Sequence, residues 1–410
     1  MANKKLNWIA VSFGTCMGAG VLFLPTQVGL SGIWAFICAL PIVFIVSYFG
    51  QRYIADLVAN YPDRERKKIN YSDIIEETFG KIGGKVLIFL FFLIMFGIVI
   101  AYITGFKNDL YSFFENYFPK NFKSEDSLEF IILVTVIFGL LLMFKNQILM
   151  WVMRFKTILI MILLLIFSFL LIPYWHMDEL RNFPSGSALI KGILTVIPIL
   201  ITGTSFFGSV SEMVVDFKYD KKYEKSYVTT TRKIVLNAEI LIFIFITFFV
   251  ISSTLALSHS QLAYAAENSQ TAMSVLRIPG LSLLARWIGL LILPISFLGV
   301  YIAINETLKK LFFPNYVKKI VHDKKATNRL ERGISVGVII LIFIILFLKV
   351  NVLGLIGLFI SPIMCILVFV VPVIIIIKMK KLGLKCSIMH YIVLILGIAL
   401  TLSYLVGSII

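Results

Sequence analysis

Gly14-Thr15-Cys16-Met17-Gly18-Ala19-Gly20-Val21-Leu22-Phe23-Leu24-Pro25 lies inside the first long apolar segment of the chain. Three of these residues are glycines, each of which weakens a helix by about 1 kcal/mol, and the last is a proline, which removes a backbone donor. In a bilayer, a loosened backbone is tolerated only where protein or a water-filled cavity satisfies its polar groups. The stretch therefore predicts a helix that is broken in mid-membrane, the sequence mark of a substrate site in a transporter.

The composition requires a membrane. The chain has 410 residues, of which 59% are hydrophobic and 15% are charged, and its mean hydropathy is +0.96. A soluble domain would be about half apolar and about one quarter charged. Apolar segments of about 20 residues, long enough to cross a bilayer, recur from one end to the other. We therefore predict an all-α, multi-pass integral membrane protein of the bacterial inner (cytoplasmic) membrane.

The net charge of +16 does not indicate nucleic-acid binding, because the basic residues are not gathered in one patch. They concentrate in short loops on alternate sides of the spans, and most of the 38 Lys and Arg fall on the side of the N-terminus. Cytoplasmic loops carry such an excess. We expect a cytoplasmic N-terminus and, with an odd number of spans, an external C-terminus. Within the third span, Lys107 and Asp109 are expected to pair near the outer boundary.

Residues that commonly build metal or catalytic centres are scattered along the chain. The four cysteines (Cys16, Cys38, Cys365, Cys386) form no Cys-x-x-Cys pair, and the four histidines lie apart. We therefore expect no disulfide framework, no metal site and no cofactor. The Gly18-Ala19-Gly20 triplet follows no strand, so it is not a nucleotide-binding loop. We expect no catalytic residue, and we expect that the protein is not an enzyme.

Hydropathy predicts about eleven membrane spans in a single transporter domain, residues 1–410. Their approximate ranges are 8–30, 33–59, 83–117, 128–144, 148–173, 188–217, 228–257, 281–313, 333–348, 352–377 and 387–410. A short amphipathic surface helix is predicted before the third span, with Ser72 at its N-cap and Gly80 at its C-terminal end.

The sixth span carries a second predicted break, Pro198-Ile199-Leu200-Ile201-Thr202-Gly203-Thr204-Ser205-Phe206-Phe207-Gly208-Ser209. For one such cluster, close packing of small residues between helices is an alternative explanation. Two clusters five spans apart fit instead a five-plus-five inverted repeat, in which broken helices 1 and 6 face each other. The repeats would cover about 8–173 and 188–377, and an extra helix would follow at about 387–410.

A site between two broken helices offers two kinds of unpaired backbone group. Free N–H groups at a positive helix end suit a carboxylate, and free carbonyls suit an ammonium, so the site fits an amino acid. We predict that the substrate contacts both breaks and an aromatic wall on the third span. The predicted binding residues are Gly14, Thr15, Gly18, Ala19, Gly20, Tyr102, Thr202, Gly203, Thr204, Ser205 and Phe206.

Ionisable and hydroxyl groups inside the spans are candidates for ion coupling. Glu239 in the seventh span is a candidate proton carrier, and a structural hydrogen bond or a pair with Arg232 or Lys233 is its alternative role. Glu212 is a second acidic candidate. A sodium ion would need oxygen ligands, and Ser296 of the eighth span could add its hydroxyl to carbonyls of the first break. The sequence leaves proton and sodium coupling both open.

The first break has the pattern G-T-x-x-G-A-G-V-L-F-L-P, which resembles the first helix of the hydroxy/aromatic amino acid permease family, especially its serine and threonine transporters. The resemblance continues through 74–80, the broken sixth span and 296–299. It implies a LeuT-like fold of the amino acid–polyamine–organocation superfamily and ion-coupled uptake, often with protons. Serine transporters of that family carry Asn-His-Ser-Pro in the sixth span. This chain has Thr204-Ser205-Phe206-Phe207 in that region, and the phenylalanines would fit a more apolar substrate.

Two hypotheses of function follow from these patterns. The first is an ion-coupled secondary transporter that imports a small neutral amino acid, serine/threonine-like or aromatic, by alternating access. The second is a non-transporting amino-acid receptor of the same fold, such as a germinant-receptor membrane subunit. No stretch of the sequence resembles a signalling domain, which favours transport.

Overall fold

The computed structural model of the protein describes residues 4–62, 69–118, 124–142, 146–181, 183–312, 324–379, 384 and 386–409, and these residues form helices without a strand. The helices are α1 (Lys4–Cys16), α2 (Ala19–Ser31), α3 (Ile33–Asn60), α4 (Tyr71–Tyr117), α5 (Leu128–Leu142), α6 (Asn146–Leu171), α7 (Asp178–Arg181), α8 (Gly186–Thr204), α9 (Phe207–Lys218), α10 (Tyr227–Ala256), α11 (His259–Glu267), α12 (Ser282–Phe312), α13 (Lys324–Leu346), α14 (Val352–Lys378), α15 (Ile388–Thr401) and α16 (Ser403–Ile409). Within α14, two stretches are π-helical, at Ile356–Ile360 and Ile366–Val370.

Several helices of the described residues can cross a bilayer. By length and composition there are seven, or eight if α1 and α2, bent by 53° at their junction, count as one broken span. Shorter apolar helices lie at Leu128–Leu142, Arg332–Leu346 and Ile388–Thr401. Large apolar side chains are exposed on the outside of the bundle, among them Phe169, Ile244 and Ile395. Such exposure is typical of a surface that contacts lipid.

The surface helix before the third span differs from the prediction. Its N-cap is Asn70 rather than Ser72, because the Asn70 side chain accepts a hydrogen bond from the Asp73 N–H and the Asp73 carboxylate accepts one from the Asn70 N–H, each at 3.1 Å. This reciprocal capping box fixes the start of α4 at Tyr71. Gly80, with φ 75° and ψ 175°, is not helical, so the surface helix ends there as predicted, and a second helical segment of α4 continues to Tyr117. Only the prediction of Ser72 as the N-cap was wrong.

The two interrupted spans lie at the centre of the bundle. Helix α2 packs against α8, and both pack against α3 and α10. The side chains of Phe13, Phe23 and Phe206, which flank the interruptions, are almost fully buried. This position keeps the interrupted backbone away from lipid, where unpaired N–H and carbonyl groups would be costly.

Candidate substrate-binding site

The first span is broken where the glycines predicted it. Helix α1 ends at Cys16 and α2 begins at Ala19, and between them Gly18 has an extended backbone (φ −157°, ψ −152°). The first N–H groups and the last carbonyls of any α-helix lack partners within that helix, so the start of α2 and the end of α1 both bring such groups to the break. The break therefore presents donors and acceptors side by side. The side chain of Ala19 lies outside the described part of the chain.

The sixth span is broken at the predicted stretch as well. Helix α8 ends at Thr204, Ser205 and Phe206 are non-helical, and α9 begins at Phe207. The C-terminal end of α8 leaves unpaired carbonyls, and the N-terminal end of α9 leaves unpaired N–H groups. The polarity of this break repeats that of the first one.

The two breaks contact each other through glycine backbone. A Cβ atom added to Gly20 would lie 2.7 Å from the nitrogen of Gly203 and 2.9 Å from the carbonyl carbon of Thr202. Separations under about 3 Å are not tolerated, and backbone atoms cannot swing away as a side chain can. The start of α2 and the end of α8 thus meet at a distance that only glycine permits at position 20.

The side chain of Tyr102, on α4, contacts the first break. A Cβ atom added to Gly18 would overlap the Tyr102 hydroxyl and lie 3.0 Å from the ring carbon that carries it. Tyr102 is buried. The predicted aromatic wall of the third span therefore contacts the break at Gly18.

The hydroxyl groups at the second break differ in how they are bonded. Thr202 donates to the carbonyl of Pro198, and Thr204 donates to that of Leu200, each at 2.9 Å. Such bonds to the preceding turn occupy the hydroxyl proton within the helix. The Ser205 hydroxyl is buried and has no hydrogen-bond partner among the described residues. Ser205 is consequently the hydroxyl with an unused donor at this break.

Two residues of the predicted site lie away from the contact of the breaks. A Cβ atom on Gly14, inside α1, would overlap the Thr157 hydroxyl of α6, so this glycine packs two spans together. Thr15 is exposed, and its hydroxyl donates to the carbonyl of Val11 at 2.8 Å. Helical geometry explains both positions. Helix α1 is still regular at residues 14 and 15, so these residues face away from the contact between the breaks.

Glu239 of α10 is connected to the second break through Gln51 of α3. The Gln51 side-chain amide donates to Glu239 Oε2 at 2.8 Å, and its oxygen accepts from the backbone N–H of Phe206 at 3.2 Å. Glu239 is fully buried, and its Oε1 has no partner in the described part of the chain. Arg232 bonds to Asp56 at 2.6 Å instead of to Glu239. No salt bridge of the described residues includes Glu239.

Gln51 was absent from the predicted site, although the sequence contains a signal for it. Ser47 and Gln51 are polar residues four positions apart in the second span, and this spacing places both on one helix face. Both are fully buried. The Gln51 amide also donates to the Ser47 hydroxyl at 2.8 Å.

The other coupling candidates differ in burial. The Ser296 hydroxyl of α12 is buried and donates to the carbonyl of Met17 at 3.2 Å, so the eighth span touches the first break. Glu212 is exposed on α9. Among the described residues, no group of three or more His, Cys, Asp or Glu is arranged to hold a metal ion.

Lys107 and Asp109, near the C-terminal end of α4, do not pair with each other, and that prediction was wrong. Lys107 donates to Asp126 at 2.9 Å, and Asp109 accepts from the backbone N–H and the hydroxyl of Thr271 at 2.9 and 2.6 Å. Residues two positions apart on a helix point to different sides, so the two side chains reach different partners. Asp109 thereby fastens the buried loop after α11 to the third span.

The profile of the tryptophan/tyrosine permease family matches residues 1–406 of the chain. The chain belongs to this family. The predicted resemblance to amino acid permeases is thereby confirmed, and the protein is a multi-pass membrane permease rather than an enzyme.

The permease has similar relatives along most of its length. It is 26% identical over 411 residues to a serine transporter of Escherichia coli O157:H7, with 97% of this chain and 90% of the relative covered. It is 27% identical over 402 residues to the threonine/serine transporter TdcC of Escherichia fergusonii, with 92% and 89% covered.

The fold of the permease is similar to that of a solved transporter. The manganese transporter of Eremococcus coleocola superposes with a TM-score of 0.60, covering 98% of this chain and 86% of the other at 13% identity. At this identity the similarity concerns the fold alone.

Proposed function

We propose that this permease is an ion-coupled secondary transporter that imports a small neutral amino acid by alternating access. The observation that carries the proposal is the contact of the two breaks at Gly20 and Gly203. Interrupted helices that meet in the bundle interior form substrate sites in transporters. The names of the relatives, which include serine and threonine transporters, support an amino acid as substrate.

The two breaks offer complementary groups for a zwitterion. The substrate carboxylate would bind the N–H groups at the start of α2, from Gly18 to Gly20, where the helix dipole is positive. The ammonium would bind carbonyls at the end of α8, from Thr202 to Thr204. The unpartnered Ser205 hydroxyl would bond to a polar substrate side chain, and Tyr102 would cover the carboxylate.

The proposed topology has eleven spans in a five-plus-five inverted repeat, about 8–173 and 188–377, plus an extra helix at about 387–410. Eight long or bent spans and three shorter apolar helices among the described residues support this number. We place the N-terminus in the cytoplasm and the C-terminus outside, because basic residues concentrate in the loops on the N-terminal side.

The coupling ion that we propose is a proton, carried by Glu239. The support is the burial of this carboxylate, the absence of a salt bridge to it among the described residues, and its bond to Gln51, which also holds the Phe206 N–H. Buried carboxylates in membrane spans serve as proton carriers in many pumps and transporters. A sodium ion bound by Ser296 and the Met17 carbonyl is the competing explanation.

Uptake by the purified protein in liposomes tests the function. We expect accumulation of serine, threonine or another small neutral amino acid when the outside is acidic, with no requirement for a sodium gradient. Binding of an amino acid without flux under either gradient would contradict transport and would indicate a receptor. The absence of both binding and flux for the whole panel would contradict an amino acid as substrate.

Two matched variants identify the coupling ion. Glu239→Gln keeps the size and hydrogen-bonding capacity of the side chain but cannot carry a proton, so we expect proton-driven accumulation to fall about tenfold or more while exchange of internal for external substrate continues. Ser296→Ala should leave proton-driven accumulation within about twofold of the wild type. Sodium-driven uptake that is lost in Ser296→Ala and kept in Glu239→Gln would contradict proton coupling through Glu239. It would show instead that the coupling ion is sodium, bound at Ser296.

A further inference from the structure

Gln51 occupies an unusual position in the polar network of the bundle. Its side-chain nitrogen has two hydrogens, and these are donated to the Ser47 hydroxyl and to Glu239 Oε2, both at 2.8 Å. Its side-chain oxygen accepts from the Phe206 N–H at 3.2 Å. Because Gln51 is fully buried, water cannot replace a partner that is lost.

The orientation of this amide follows from its partners. An N–H group can only donate, so the amide oxygen faces Phe206, and an ionised carboxylate can only accept, so the amide nitrogen faces Glu239. The network accommodates a charged Glu239 without rearrangement. A protonated Glu239 carries an O–H group that requires an acceptor; Oε1 has no partner among the described residues, and the side-chain oxygens that face the carboxylate are those of Ser47 and Gln51.

Few other groups compete for this carboxylate. From α3, Ser47 and Gln51 face it, and from α1, Cys16 interacts with it. No Lys, Arg or His of the described residues forms a salt bridge with it, and the nearby Arg232 of α10 is bound to Asp56 of α3. A change in the protonation of Glu239 is consequently felt first by the Gln51 amide and the Ser47 hydroxyl.

We propose that Gln51 is a positioning residue whose side-chain amide transmits the protonation state of Glu239 to the backbone of the broken sixth span. When Glu239 is charged, the amide nitrogen binds the carboxylate and the amide oxygen holds the Phe206 N–H. When Glu239 takes up a proton, the amide rotates by about half a turn so that its oxygen accepts from the acid O–H. The Phe206 N–H is then released at the start of α9.

Release of the Phe206 N–H determines whether protonation of Glu239 strengthens or weakens substrate binding. A free N–H group at the start of α9, next to Ser205, adds a donor for the polar side chain of the substrate, which the Ser205 hydroxyl would also bind. Protonation of Glu239 and binding of the amino acid therefore favour each other, and by linkage each raises the affinity for the other by the same factor. This inference rests on the proposed function, because it requires that Glu239 is protonated during the transport cycle.

The dependence of substrate KM on external pH tests the inference. In the wild type we expect KM to rise about tenfold from acidic to alkaline pH. In Gln51→Met, which keeps the length of the side chain but has no amide, the change should fall below about twofold while exchange transport continues. Gln27→Met of α2 is the matched control, because it makes the same substitution at a buried amide that binds the Ser31 hydroxyl instead of Glu239, so the pH dependence should persist.

The outcomes separate the two proposals. A wild-type pH dependence that persists in Gln51→Met would overturn the role of Gln51 and leave proton coupling intact, and an equal loss in Gln27→Met would overturn that role as well. A wild type without any pH dependence would overturn both proposals. If Gln51→Met does not fold, Gln51→Asn takes its place, because the shorter amide cannot reach both Glu239 and Phe206, and the same loss is expected.

Discussion

At the scale of single residues, the contact between Gly18 and Tyr102 explains why position 18 has no side chain. We expect Gly18→Ala to reduce uptake about tenfold or more, because the new methyl group overlaps the Tyr102 hydroxyl in a packed interior. The double variant Gly18→Ala with Tyr102→Phe should recover part of the loss, since the overlapping oxygen is gone. Initial rates of uptake in liposomes measure the effect.

The control for this cycle is Gly208→Ala, because a Cβ atom there meets open space although the residue lies close to the second break. Its uptake should equal that of the wild type. Normal uptake by Gly18→Ala, or equal losses in Gly18→Ala and Gly208→Ala, would show that the contact between Gly18 and Tyr102 is not needed for uptake.

A second prediction at this scale concerns the buried Lys107. Its ammonium is bound to Asp126, which also binds the exposed Lys349 at 3.0 Å. Asp126→Asn should destabilise the protein by about 1–3 kcal/mol, because a buried cation loses its counter-charge. Lys349→Ala should have a clearly smaller effect, because its ammonium is exposed and solvent screens the ion pair. Thermal unfolding in detergent measures both, and equal losses would contradict the distinction between them.

The pH dependence of this pair has a definite sign. Partial burial raises the pKa of Asp126, but hydrogen bonds from Lys107 and Lys349 outweigh that effect and lower the pKa below 3.8. Because the pKa is depressed in the folded state, the stabilisation is present above the unfolded pKa and is lost as the pH falls through the folded value. Mild external acidity, as used to drive uptake, should therefore leave this loop attached.

At the scale of elements, the N-terminal end of α1 and the C-terminal end of α9 are tied together. Lys4 binds Asp220 at 2.7 Å and Asp216 at 3.2 Å, and the Trp8 indole donates to Asp216 at 2.7 Å. The hydrogen bond from Lys4 lowers the pKa of Asp220, so that this carboxylate stays charged at neutral pH. The tie joins the N-terminal half of the first broken span to the C-terminal half of the sixth, and both halves face the cytoplasm in the proposed orientation.

Loss of this tie should open the first break to the cytoplasm. Asp216→Asn removes a charge from the tie, worth about 1 kcal/mol, so we expect the population with an opened inner end to rise about fivefold. Cys16, buried at the end of α1, reports the change. Its rate of labelling by a thiol reagent added from the cytoplasmic side, with the other cysteines replaced, should rise by that factor. Glu224→Gln, on the exposed loop nearby, should leave the rate unchanged.

The elements were more predictable from the sequence than the contacts between them. Both breaks were predicted because glycine and proline act on the local backbone, and so was the wall of the third span at Tyr102. The distant partners were not, because Gln51 meets Phe206 across 155 positions of the chain. Likewise, the helical position of Thr15 directs its side chain away from the break. The N-cap of α4 is Asn70 instead of Ser72, because Asn70 and Asp73 form a capping box.

At the scale of the whole molecule, the proposed orientation makes a prediction for both ends. We expect alkaline phosphatase fused after the last residue to be active in cells, because that enzyme folds only outside the cytoplasm, and a fluorescent protein fused at the N-terminus to mature. Most of the basic residues would then face the cytoplasm, where they are favoured. An inactive phosphatase with a correctly inserted permease would contradict an odd number of spans.

The backbone contact between Gly20 and Gly203 has a consequence for how this permease can acquire a new preference. The innermost surface of the site is made of main chain, which is the same whatever the residue, and steric crowding forbids a side chain at position 20. In the proposed site, a change of preference between hydroxylated and aromatic amino acids must therefore come from the periphery, chiefly from Ser205 and Tyr102. A library that randomises those two positions and spares the glycines is the shortest route to altered selectivity.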